Sequence, residues 1–155
     1  MKKIFILIFF ISLSFSQNNL CSKLPNIIDG YKQIGKCNYM KMQTNFATGE
    51  QAKKDYINND NKIEVSIITG TFANSILMPY MSITQFENND TLIKTLNYKG
   101  YKTILNYNKI EKRGLIIVIL NQKNINIKAL LLNFEQLTPN EAIKILNYLN
   151  LKEIN

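Results

Sequence analysis

Gly114-Leu115-Ile116-Ile117-Val118-Ile119-Leu120, followed after the polar turn Asn121-Gln122-Lys123-Asn124 by the run from Ile125 to Phe134, decides the fold. Six consecutive apolar residues from Leu115 to Leu120, four of them β-branched, leave a strand no face for water, so it must be covered above and below. In the second run Ile125, Ile127 and Ala129 alternate with Asn126, Lys128 and Leu130, the period-two pattern of a half-buried strand. A short hairpin joins the two. This pair is the expected centre of the core.

Upstream, the turn formers Asn58-Asn59-Asp60-Asn61 stand directly before Lys62 to Thr69, where Ile63, Val65 and Ile67 alternate with Lys62, Glu64 and Ser66. That pattern predicts a strand with one buried face. Lys36–Phe46 reads as another strand, and Gln51–Ile57 suits either a strand or one helical turn. Thr91–Asn97 and Tyr101–Tyr107 flank Tyr98-Lys99-Gly100 as two further strands around a turn or bulge. Polar turns this short join antiparallel neighbours, because parallel pairs need crossovers of about a dozen residues.

At the C-terminal end, Thr138, Pro139 and Glu141 form an N-cap, a first-turn proline and a capping box. Ala142, Ile145, Leu146 and Leu149 follow at i, i+3, i+4 and i+7, so one helical face is apolar. Between Thr71 and Phe86 the apolar residues recur at roughly helical spacing, and Pro79 predicts an interruption. The resulting expectation is a two-layer α+β domain: an antiparallel, hairpin-connected sheet of five to seven strands. One side is packed by the C-terminal helix, with the irregular 71–86 helix as an additional cover.

Residues 1–16 have the parts of an export signal: Lys2-Lys3, an apolar stretch from Ile4 through Leu13, and Ser14 and Ser16 flanking Phe15. The apolar stretch is shorter than the ~20 residues of a membrane-spanning helix. Cleavage after Ser16 is expected, which leaves 17–155 as a single exported domain, periplasmic or secreted, with no transmembrane segment. The sequence carries a net charge of +8; without Lys2 and Lys3, 17 basic residues stand against 11 acidic ones, or +6. Cys21 and Cys37 are the only cysteines, and an even pair in an exported chain predicts a disulfide tethering segment 17–36 to the body.

The chain has no histidine, so the commonest general base and metal ligand is missing. No catalytic residue, metal ligand or cofactor motif is assigned. The glycines stand alone, without a phosphate loop or a nucleophile elbow. Asn89-Asp90-Thr91 matches a glycosylation acceptor, which matters only in a eukaryotic host.

The one functional signal is electrostatic. Between Thr91 and Arg113 lie Lys94, Lys99, Lys102, Lys109, Lys112 and Arg113 against the single acid Glu111, a segment charge of +5, with Tyr98, Tyr101 and Tyr107 interleaved. Cations beside aromatic faces suit an anionic partner. The plain counter-reading is the solvated, aggregation-resistant lysine face of a sheet. The expected role is a non-enzymatic binding or accessory protein contacting an anionic envelope component or an acidic protein. Nucleic acid is a poor candidate outside the cell. The alternatives are an enzyme using carboxylate or lysine chemistry in a sheet–helix cleft, and a structural or assembly subunit.

Overall fold

A computed structural model describes residues 19–155; the expected leader, 1–16, lies outside the described residues. Nine strands form one antiparallel sheet: β1 (Ile27–Ile28), β2 (Tyr31–Gln43), β3 (Thr48–Asn58), β4 (Asn61–Thr69), β5 (Gln85–Glu87), β6 (Thr91–Tyr98), β7 (Tyr101–Asn108), β8 (Arg113–Lys123) and β9 (Asn126–Glu135). Their order across the sheet is β1-β2-β3-β4-β9-β8-β7-β6-β5. Helix α1 (Asn19–Ser22) precedes the sheet, and α2 (Gly70–Met81) connects β4 to β5. The chain ends in α3 (Pro139–Ile145), a 3-10 turn at Leu146–Tyr148 and α4 (Leu151–Ile154).

The expectation of five to seven strands packed on one side is therefore corrected in both count and cover. The two edge strands have two and three residues, too few to show a period, and all three β5 residues are exposed. In β3 the inward series Ala52, Lys54, Tyr56 includes a charge, which hides the apolar alternation. Lys54 is nonetheless buried, its Nζ donating to Leu24 O at 2.7 Å and Asn26 Oδ1 at 2.9 Å. Burial without an anionic partner lowers its pKa.

Both faces of the sheet are covered. On one, Ile116, Val118 and Leu120 of β8 join Leu130, Leu132 and Phe134 of β9 beneath Ala142, Ile145, Leu146 and Leu149 of the C-terminal turns. On the other, Ile117 and Ile119 join Ala129 and Leu131 beneath Ala73 and Leu77 of α2. β9 is thus buried on both faces rather than half-buried. The Thr138 capping box is present as expected, but the helix it starts lasts only to Ile145 before tightening into the 3-10 turn. Pro79 sits in the last turn of α2 without interrupting it earlier.

Turn chemistry sets the hairpins. Lys99 and Gly100 both have positive φ, 51° and 88°, the pattern of a type I′ turn between β6 and β7. In β2, register runs from Ile34↔Asp55 to Asn38↔Lys53, so three residues oppose one and Gly35–Cys37 bulges out. Cys37 in that bulge is bonded to Cys21 in α1, confirming the expected disulfide. Tyr56 Oη adds a second tie, donating to Pro25 O at 2.7 Å. Among the described residues no helix is long and apolar enough to cross a membrane.

Candidate functional site

The basic residues of 91–113 are spread along a hairpin rather than gathered on one face. β6 and β7 run about 25 Å end to end at ~3.3 Å per residue. Lys99 lies at the 98–101 turn, whereas Lys109, Lys112 and Arg113 lie at the opposite end. Lys94 shares parity with Leu92 and Leu96, which pack toward the C-terminal turns. Lys102 points the other way, its Nζ reaching Met81 O at the end of α2 at 3.3 Å.

Several of these charges are engaged. Lys109 Nζ contacts Glu87 Oε1 and Asn88 O, each at 2.7 Å, and Arg113 pairs with Glu111. Both ion pairs are at least partly solvated and add little stability. Lys94 and Lys112 have no ion-pair partner among the described residues. Tyr107 is only 9% exposed and stacks on Phe134 with ring centroids 6.0 Å apart, so it belongs to the core.

The part of the signal that does converge is at the 98–101 turn. Lys99 Nζ stands 5.3 Å from the centroid of the Tyr98 ring, and Tyr98 Oη donates to Asn147 Oδ1 at 2.6 Å. That bond docks the hairpin on the 3-10 turn and frames a crevice of about 390 Å³ lined by Lys99, Tyr101, Asn147, Tyr148, Leu149, Asn150, Leu151 and Lys152. No carboxylate is among these eight lining residues. The Tyr148 hydroxyl is hydrogen-bonded to Asp29, whose carboxylate raises its pKa. Lys152 and Tyr148 were not signalled by the sequence, because they join Lys99 only once the C-terminal turns dock.

A larger groove, about 610 Å³, opens on the α2 face where that helix ends. The helix is too short to cover every cross-strand row. The row beyond it reads Asp55↔Glu64↔Asn133↔Leu115↔Asn106↔Ile93, in register from β3 to β6. Glu64 accepts from Lys53 Nζ and Asn133 Nδ2, both at 2.9 Å. The Glu64 hydrogen bond raises the Lys53 pKa. Asn106 Nδ2 donates to Tyr80 Oη at 3.4 Å, linking the floor to the last turn of α2. No property of any single strand marks this row; it exists only through the registers of five strand pairs.

Neither protein-family comparison nor comparison with curated proteins and solved structures finds a match to this chain.

Proposed function

We propose that this chain is an exported accessory protein that binds, without transforming, an anionic group of its partner in the crevice between the 98–101 turn and the C-terminal turns. The observation that carries this reading is the meeting of Lys99 and Lys152 in a crevice whose lining includes Tyr101 and Tyr148 and no carboxylate. Two ammonium groups there attract a phosphate, sulfate or carboxylate, and the Tyr101 hydroxyl and the Asn147 amide supply directional hydrogen bonds, while Asn150 Nδ2 already donates to Glu153. The Cys21–Cys37 disulfide is compatible with an oxidising compartment. Acidic lipid headgroups, anionic surface polysaccharide and acidic protein segments all present the required group.

The test compares two double variants of equal net charge on a sulfated polysaccharide resin. Lys99→Gln/Lys152→Gln is expected to elute at clearly lower salt than Lys94→Gln/Lys112→Gln, because specific contacts add to general screening-sensitive attraction. Equal elution of the two variants, or no retention of the parent protein at low ionic strength, overturns the reading.

A further inference from the structure

We propose that the groove on the α2 face is a second, separate binding site whose ligand is a polyhydroxylated, uncharged molecule of the saccharide class. The size of the groove, about 610 Å³, is that of a small-ligand site. Its chemistry is mixed in a particular way. Asn133 and Asn106 spend their Nδ2 groups on Glu64 and Tyr80, which leaves both side-chain carbonyl oxygens without a donor among the described residues. The Asp55 carboxylate accepts no hydrogen bond there, though it lies near enough to Lys53 to help raise that ammonium's pKa. Free donors line the same groove: the Lys62 ammonium and the Thr91 hydroxyl.

A hydroxyl is the common ligand group that both donates and accepts, so a chain of hydroxyls satisfies acceptors and donors placed side by side. Charged ligands fit less well. Asp55, Glu64, Glu111 and Glu135 outnumber Lys62 and Arg113 in the lining, so an anion is repelled, and Glu64 and Glu111 are already paired with Lys53 and Arg113, which leaves a cation less to bind. Among the described residues no group of three His, Cys, Asp or Glu side chains is placed to hold a metal ion. Sugar rings also need an apolar platform for their C–H faces, and half-buried Leu115, Ile93 and Tyr80 supply it between the polar groups. Both Asn side chains are held by hydrogen bonds, so they are oriented before a ligand arrives.

Amide chemical shifts of the disulfide-bonded protein are followed during titration with maltotetraose, cellotetraose and N,N′,N″,N‴-tetraacetylchitotetraose. Each is added to about 10 mM, ten times the dissociation constant of a weak millimolar site. Phenethylamine and phenylacetate serve as cationic and anionic controls. At least one saccharide is expected to give saturable shifts mapping to Asp55, Leu115, Asn106 and Asn133. Asp55→Ala/Asn106→Ala, with its fold verified from the same spectra, should weaken that response at least tenfold. Lys99→Gln/Lys152→Gln should leave it intact, which separates failure here from failure at the crevice. Silence with all three saccharides, shifts mapping elsewhere, an unchanged response in Asp55→Ala/Asn106→Ala, or saturation by phenethylamine alone overturns the proposal.

Discussion

Gly114 is the position where a single methyl should do the most for its size. It lies between Tyr107 and Phe134 in one cross-strand row. Side chains two strands apart start about 9.5 Å from each other at the usual strand spacing. Here the two rings lean together over the glycine until their centroids are 6.0 Å apart and their planes 14° from parallel. A Cβ at Gly114 would lie 2.5 Å from Phe134 Cζ and 2.7 Å from the Asn106 carbonyl oxygen.

The Gly114 backbone is not in the left-handed region, so alanine would gain about 0.4–1 kcal/mol by narrowing the unfolded ensemble. Against that stand overpacking, about 1–3 kcal/mol, and loss of the ring contact, about 0.5–1.5 kcal/mol. Gly114→Ala should therefore destabilise by about 1–3 kcal/mol, moving a urea midpoint by roughly 1 M for a protein of this size. Removing the ring relieves one of the two obstacles and leaves the Asn106 carbonyl, so in a Phe134→Leu background the same substitution should cost about 1 kcal/mol less. Equilibrium urea unfolding of the four proteins of this cycle, disulfide intact, measures both quantities. A stable Gly114→Ala protein, or an unchanged cost without the ring, would refute the idea that the glycine exists to admit the aromatic pair.

Two further outcomes follow from the ties on the N-terminal segment. Cys21→Ser/Cys37→Ser opens a loop with a sequence separation of 16 and should lose about 3 kcal/mol in the chain-entropy account, read from urea midpoints against the oxidised parent; a loss below about 1 kcal/mol would show that Tyr56 and Lys54 suffice to hold the segment. Burial raises the Tyr56 phenol pKa above its unfolded value of about 10. Its stabilisation is whole below pH 10 and is lost as pH rises through the folded pKa. Tyr56→Phe should cost about 1 kcal/mol at pH 7 for the lost bond to Pro25 O and should flatten the alkaline decline between pH 9 and 11. The opposing trend of Lys54 is common to both proteins and cancels, so identical alkaline slopes would sink the assignment.

Local signals located most of the long elements. The apolar run at 115–120 announced a strand covered twice, and Ile116, Val118 and Leu120 do point into one core while Ile117 and Ile119 point into the other. Thr138 and Glu141 marked a helix start because a capping box is complete within four residues. The cysteine pair announced its bond through its even number and the expected compartment. Edge strands β1 and β5 were illegible because two or three residues have no period to read. The full length of β2 was hidden by the bulge at Gly35–Cys37, whose extra residues break the alternation that a sequence pattern depends on.

The sequence by itself determined the longer strands β4 and β6 to β9, the Lys99-Gly100 turn and the Thr138 cap, since each depends on residues a few positions apart, whereas the β8–β9 turn expected at Asn121–Asn124 falls at Asn124-Ile125. The tertiary structure alone decided that β9 enters beside β4, pairing Ile63 with Phe134 and Glu64 with Asn133 across some seventy residues of chain. That insertion aligns the six-strand row of the groove, and docking of the C-terminal turns brings Lys152 to Lys99. The physical reason is that burial of both sheet faces selects the pairing, and such burial is a property of the assembled layers that no single strand carries.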